Sequence, residues 1–206
     1  METVKNTTAE NEYWSNRYEN QQTGWDLGAP SPPLKDYIDQ LENKEIRILI
    51  PGAGNAHEAE YLLENGFKNV FVMDISDIPL QSFAARNPDF PKAQLIHSNF
   101  FEHRGTYDLI LEQTFFCSFS PTPSNRILYG ETMSNLLDSD GKLVGVWFEI
   151  PLIMDTDKRP FGGNRAEYLT YLSPHFEVKT FEKCYNSIKP RDGNEVFGIF
   201  QKKSKN

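Results

Sequence analysis

Ile46-Arg47-Ile48-Leu49-Ile50-Pro51-Gly52-Ala53-Gly54-Asn55 is the stretch whose reading decides the fold. Its aliphatic residues run straight into a Gly-x-Gly turn, the pattern of a buried parallel strand that ends at a ligand. Residues 56–66 follow with apolar side chains at helical spacing and Gly66 as the stop. A second apolar strand, Val70-Phe71-Val72-Met73, closes on Asp74. Strand, glycine turn, helix, strand and terminal acid make a βαβ nucleotide-binding unit. Its acid lies about 20 residues beyond the turn, the distance needed to reach a ribose hydroxyl.

The glycine spacing narrows the ligand. A dinucleotide fingerprint wants a third glycine where this chain has His57, because that glycine permits close helix packing while pyrophosphate sits on the helix N-terminus. No Gly-Lys-Ser/Thr phosphate cradle follows either. Gly52 and Gly54 therefore suit a nucleoside without phosphates, such as S-adenosylmethionine. The plainer alternative is a tight βα turn with no ligand, and Asp74 at the end of the next strand tips the balance toward a cofactor site.

Composition sets the bounds. A chain of 206 residues fits one α/β domain spanning 1–206. A net charge of -8 argues against nucleic acid, whose phosphates demand clustered Lys and Arg. Cys117 and Cys184 have no metal spacing, and His57, His97, His103 and His175 show no ligand pattern, so no metal is expected. No apolar run reaches the ~20 residues of a membrane span, and residues 1–12 carry no apolar signal core. These features point to a soluble protein of the reducing cytoplasm, a monomer or weak homo-oligomer that acts on a small molecule.

Along the chain, residues 1–9 are expected to lack structure, and residues 10–20 put Tyr13, Trp14, Arg17 and Tyr18 on one short helix. The loop 23–33 is rich in Gly and Pro yet carries Trp25, an aromatic that needs something to cover. Residues 10–33 thus read as an N-terminal lid over the ligand. Helices are expected over 34–41, 79–85, 126–137 and 165–172, the third with Ile127, Leu128, Met133, Leu136 and Leu137 toward the sheet. Strands are expected over 94–97, 107–111, 142–148, 176–181 and 195–200, with Asp140-Gly141 as a turn before the third. In an open parallel sheet the ligand lies outside the carboxyl ends of the strands, where Gly52 to Asn55, Asp74, Asn99 and Glu112 to Thr114 converge. Residues 155–164, past the next strand's end, are placed for substrate contacts. Alternating βα units with a terminal antiparallel pair give an α/β, Rossmann-like class I methyltransferase layout.

These motifs resemble the thiopurine S-methyltransferase superfamily, and within it the thiol and halide methyltransferase branch. The resemblance rests on Trp25-Asp26-Leu27-Gly28, Ile50-Pro51-Gly52-Ala53-Gly54, Met73-Asp74-Ile75-Ser76, Phe115-Phe116-Cys117 and residues 138–143. Pro51 is informative, since most class I methyltransferases carry an acid there. The resemblance implies a seven-stranded, mostly parallel sheet with one antiparallel strand and helices on both faces. It also implies S-adenosyl-L-methionine as cofactor, with S-adenosyl-L-homocysteine as product. By position, Trp14, Tyr18 and Trp25 would cover the cofactor, and Gly52 and Gly54 would flank its methionine part. Asp74 and Ile75 would meet the ribose, Asn99 and Phe100 the adenine, and Gln113 the sulfonium. Relatives commonly have an aromatic residue at the Gln113 position.

Transfer of a methyl group to a soft anion such as a thiolate, bisulfide or halide is an in-line displacement that needs no strong base. Proximity, alignment and a dry pocket must do the work. Aromatic faces serve it, so Phe115, Phe116 and Phe148 are candidates for the acceptor wall. Glu112 is a candidate base for a protic oxygen or nitrogen acceptor, the second reading. A nicotinamide-binding or non-catalytic Rossmann-like module is the third. Nothing in the sequence around Cys117 lowers its pKa, so it reads as a small buried residue rather than a nucleophile.

Overall fold

The computed structural model describes residues 7–152 and 159–204. Helices α1 (Thr7–Glu19) and α2 (Pro32–Ile38) lead into β1 (Ile48–Pro51), α3 (His57–Glu64), β2 (Val70–Asp74), α4 (Asp77–Arg86) and β3 (Leu95–His97). Then come β4 (Tyr107–Gln113), α5 (Pro123–Leu136), β5 (Leu137–Phe148), α6 (Arg165–Leu172), β6 (Phe176–Lys183) and β7 (Glu195–Lys202). They form one seven-stranded sheet in the order β3-β2-β1-β4-β5-β7-β6. Pairings from β3 through β5 are parallel, and β7 alone runs antiparallel to its two neighbours.

Alternation along β1 explains the layering. Ile48 and Ile50 point to one face, where Leu34 and Ile38 of α2, Ala59 and Leu62 of α3 and Phe83 of α4 cover them. Leu49 points to the other, among Met73, Ile110, Tyr129 and Met133 of α5, and Leu172 of α6. All of β1 is buried, so it reads as an unbroken apolar run rather than an alternating one. Each such side chain contributes about 1.5–3 kcal/mol by leaving water. Strand order reverses between β2-β1 and β4, which opens a crevice at the carboxyl ends of these strands.

Several sequence expectations need correction. Helix α1 starts at Thr7, inside the segment 1–9 expected to lack structure; residues 1–6 lie outside the described residues. Helix α5 begins at Pro123, where Thr122 Oγ1 caps the Asn125 N–H at 3.3 Å. Its buried face is Arg126, Tyr129, Gly130, Met133 and Leu136, and Ile127 is 48% exposed. The Tyr129 ring turns inward onto Phe116, and Gly130 lets α5 approach the Tyr171 backbone of α6, a rotation that leaves Ile127 facing outward. Asp140-Gly141 is no separate turn. It lies in an irregular stretch of β5, whose Leu137 pairs with Tyr107 and whose Lys142 pairs with Leu109.

Candidate active site

The turn after β1 uses left-handed backbone at Gly52 (φ 58°), Gly54 (φ 55°) and Ala56 (φ 57°). Glycine is needed at the first two for space as well as for conformation. A Cβ on Gly52 would lie 2.1 Å from the Phe115 ring, and one on Gly54 would lie 3.0 Å from the Tyr18 hydroxyl. Ala53 N–H donates to Met73 O at 2.9 Å, tying the turn to β2. At the end of β2, the carboxylate of Asp74 accepts N–H bonds from Gly54 (3.0 Å) and Ser76 (2.9 Å). Burial pushes the Asp74 carboxyl above its ordinary value, and these N–H groups oppose the shift. Asp74 therefore shapes the glycine turn besides facing the crevice.

That crevice is a cavity of about 950 Å³. Helix α1 lies along it, with Asn11 donating to Ile75 O and Ser15 Oγ 2.9 Å from Ser76 Oγ. Trp14 and Tyr18 each meet Trp25 edge to face, at ring separations of 5.3 and 5.6 Å. The Trp25 loop is itself pinned. Asp26 accepts from Gly28 N–H and from Asn55, and lies 2.8 Å from His57 Nε2. Burial raises the Asp26 carboxyl, but those bonds outweigh it and hold the group below its ordinary value. Arg191 closes the far side by donating to Trp25 O at 2.7 Å.

Trp14, Tyr18 and Trp25 all line the cavity, as do Gly52, Gly54 and Asp74. Ile75, Asn99, Phe100 and Gln113 join them there. Asn99 Oδ1 accepts the Phe101 N–H at 3.0 Å, and Phe100 meets Phe115 edge to face at 5.2 Å. Phe115 and Phe148 line the cavity. Phe116 does not: it packs on Tyr129 (4.7 Å) and Tyr168 (5.0 Å) beneath the Arg126 guanidinium. Glu112 is absent from the wall as well. Its buried carboxyl turns inward to accept N–H bonds from Phe115 and Phe116, and burial pushes it up to about 8.

The wall also carries Phe101 and Phe119 and, from the segment 155–164 expected to meet the substrate, Arg159 and Phe161. Phe119 follows Phe115 by one helical turn's spacing, a signal the short segment Phe116–Ser118 makes real. Within the segment 155–164, nothing in the sequence singled out Arg159. Its guanidinium bridges Glu10 (2.7 Å), donates to Ser118 O (2.8 Å) and stacks over Tyr13 (4.1 Å). Of the segment 155–164, only Arg159 onward lies within the described residues. Cys117 Sγ donates to Thr114 O at 2.8 Å, and burial pushes its pKa far up, which leaves no nucleophile. Among the described residues, no three His, Cys, Asp or Glu side chains come together as metal ligands, and no helix is long and apolar enough to cross a membrane.

Residues 9–205 match the family model described as thiopurine S-methyltransferase. The chain belongs to that family. As a member of the thiopurine S-methyltransferase family it is an S-adenosylmethionine-dependent methyltransferase. It is similar to a probable thiol methyltransferase 2 of Arabidopsis thaliana, at 28% identity over 93% of this chain and 85% of the relative. It is also similar to a thiocyanate methyltransferase 1 of Brassica oleracea, at 27% identity over 95% and 87%. Among solved structures, a Burkholderia thailandensis 1,6-didemethyltoxoflavin-N1-methyltransferase with bound S-adenosylhomocysteine shares the fold. Its TM-score is 0.77 at 16% identity, covering 100% of this chain and 92% of that one. The site fits the family's cofactor: Gln113 Nε2 is a buried nitrogen with no hydrogen-bond partner among the described residues, and Gln113 sits on the wall of an aromatic-lined cavity beside the glycine turn.

Proposed function

We propose that the protein transfers the methyl group of S-adenosylmethionine in line to a small soft nucleophile: a thiolate, bisulfide or halide. The cofactor supplies an electrophilic methyl group on a cationic sulfonium. In this reading Asp74 and Ile75 hold the ribose, Asn99 and Phe100 the adenine, and Gly52 and Gly54 flank the methionine part. Gln113 turns its carboxamide toward the sulfonium, and residues 10–33 act as a lid through Trp14, Tyr18 and Trp25 on a single domain, 1–206. Phe115, Phe119 and Phe148 then wall the acceptor and keep water away.

The observation that carries the acceptor class is the make-up of that wall. Among the described residues, its aromatic side chains are joined by Arg159, and the nearby Glu10 carboxylate is committed to that arginine at 2.7 Å. Glu112 faces away into the core, and Asp26, His57, Glu58 and Asp74 of the wall are each engaged in hydrogen bonds within the protein, so among the described residues these offer no unengaged base to a protic acceptor. A soft anion needs none, since aligned reactants in a dry site can gain ~7–11 kcal/mol without proton transfer. The names of the thiol and thiocyanate methyltransferase relatives agree with this class. Cys117 and Cys184 are both free thiols, in keeping with a reducing cytoplasm, which cell fractionation would check; the protein works as a monomer or weak homo-oligomer, which sedimentation would check. A methyl-tritiated donor offered with bisulfide, iodide, aromatic thiols, amines and phenols tests the acceptor. Label is expected in the sulfur and iodide products; label confined to amines or phenols would refute the reading.

A further inference from the structure

Glu112 has no atom on the cavity wall, yet its buried side chain holds residues that do. One carboxyl oxygen accepts the N–H groups of both Phe115 and Phe116, the latter at 2.9 Å. Those two amides close a turn in which Thr114 sits at φ 50°, left-handed backbone that a β-branched residue avoids. Such a conformation persists only where the surroundings over-determine it, and strained residues of this kind gather at active sites. Here the second restraint is the Thr114 N–H, which donates to Val146 O of β5 at 2.9 Å.

The residues flanking Thr114 face the chemistry. Gln113 brings its unpartnered amide nitrogen to the cavity wall, and the Phe115 ring fills the space a side chain at Gly52 would take. The carboxyl of Glu112 thus bears on both without reaching either end of the reaction. We propose that Glu112 is a positioning residue for methyl transfer, pinning the strained Thr114 turn through the Phe115 and Phe116 amides so that Gln113 and Phe115 stand aligned toward the acceptor. This rests on the proposed transfer to a soft nucleophile.

The surroundings of the carboxyl suit a neutral acid. Among the described residues its second oxygen has no hydrogen-bond partner and no Lys or Arg forms an ion pair with it. The titratable groups that feel its charge are Cys117 in the same turn, Tyr129 of α5 and Tyr168 of α6, and Cys117 in turn feels the Arg126 and Arg191 guanidiniums. Burial keeps the acid protonated up to about pH 8. Above that, Glu112 carries a full negative charge behind the cavity wall, and acceptor KM for an anion is expected to rise.

The test compares wild type, Glu112→Ala and Glu112→Gln, with thiophenol as acceptor because it stays ionised through the alkaline range. Three readouts are needed: the Kd of S-adenosylhomocysteine by calorimetry, kcat and acceptor KM, and amide exchange at Phe115 and Phe116. In Glu112→Ala the Kd is expected to stay as in wild type, while kcat/KM for the acceptor falls about 100-fold and both amides exchange faster. Glu112→Gln keeps an oxygen that accepts the same two N–H bonds. It should retain wild-type kcat/KM at neutral pH and lose the rise in acceptor KM above about pH 8. Wild-type kcat/KM in Glu112→Ala overturns the proposal, as does a joint fall of cofactor affinity and turnover, which marks general damage. If Glu112→Ala does not fold, Glu112→Asp, one methylene shorter, takes its place: lower kcat/KM with faster exchange of both amides at wild-type Kd upholds the proposal, and wild-type kcat/KM overturns it. If wild type methylates no thiol or halide, the acceptor reading fails, and the exchange of the two amides in Glu112→Ala still decides whether Glu112 pins the turn.

Discussion

Replacing Asp74 separates what this acid does for the turn from what it does for the cofactor. The side chain is 6% exposed and accepts N–H bonds from Gly54 and Ser76. Alanine would strand both donors in a buried place, at about 1–3 kcal/mol each, so roughly 2–6 kcal/mol of stability is expected to go. That is a large share of the roughly 5–15 kcal/mol typical of a domain, and it shows as a lower Tm. The ligand side can be bounded too. A carboxylate offers about four acceptor positions, and with two taken there remains room for at least one ribose hydroxyl. One hydrogen bond to a charged acceptor is worth about 1.5–3 kcal/mol, so Kd for S-adenosylmethionine should rise by more than about tenfold. Asparagine keeps the shape and loses the charge, and should fall between wild type and alanine in both quantities. Calorimetric titration beside thermal melts reads the two effects independently. Folded Asp74→Ala that binds S-adenosylmethionine with wild-type affinity would refute the ribose role.

Glu112 gives a stability slope with a definite sign. Its carboxyl titrates near 8 in the native protein against an ordinary 4.5, so between these values the unfolded chain holds fewer protons and stability falls as pH rises. Each unit of that interval is worth about 1.4 kcal/mol, and thermal melts from pH 5 to 8 should show a decline that Glu112→Gln lacks. Gly52→Ala would drive a methyl group into the Phe115 ring, 2.1 Å from its nearest atom, at φ 58°. Melts should show a loss of about 1–3 kcal/mol, with methyl transfer falling alongside. Phe115→Leu and Phe116→Leu should part company: the first raises acceptor KM with little change in Tm, and the second lowers Tm by a core truncation and spares KM.

The centre of the sheet was legible because a strand buried on both faces appears as an uninterrupted aliphatic run, as in Ile48-Leu49-Ile50 of β1. The crevice was legible because strand ends converge by topology, whatever the side chains. Helix α5 was harder, since Arg126 and Tyr129 take the inner face that Ile127 was expected to hold. Aliphatic spacing cannot reveal that an arginine will be buried over an aromatic ring, 4.2 Å away in the case of Arg126 and Phe116. The same limit hid the split between Phe115 and Phe116, because adjacent residues in a turn diverge by a backbone angle, here the φ of 50° at Thr114, that no periodicity encodes. The segment 155–164 was legible as a place for substrate contacts, but Arg159 within it was not, because its partners Glu10 and Tyr13 lie toward the opposite end of the chain.

Calorimetric titration of the wild-type protein with S-adenosylmethionine, and with NAD as the contrast, tests most directly whether the crevice between β1, β2 and β4 is a methyl donor's site. Saturable binding of one S-adenosylmethionine per chain, with NAD giving no heat beyond dilution, is the expected result. Tight binding of NAD with no response to S-adenosylmethionine would contradict it.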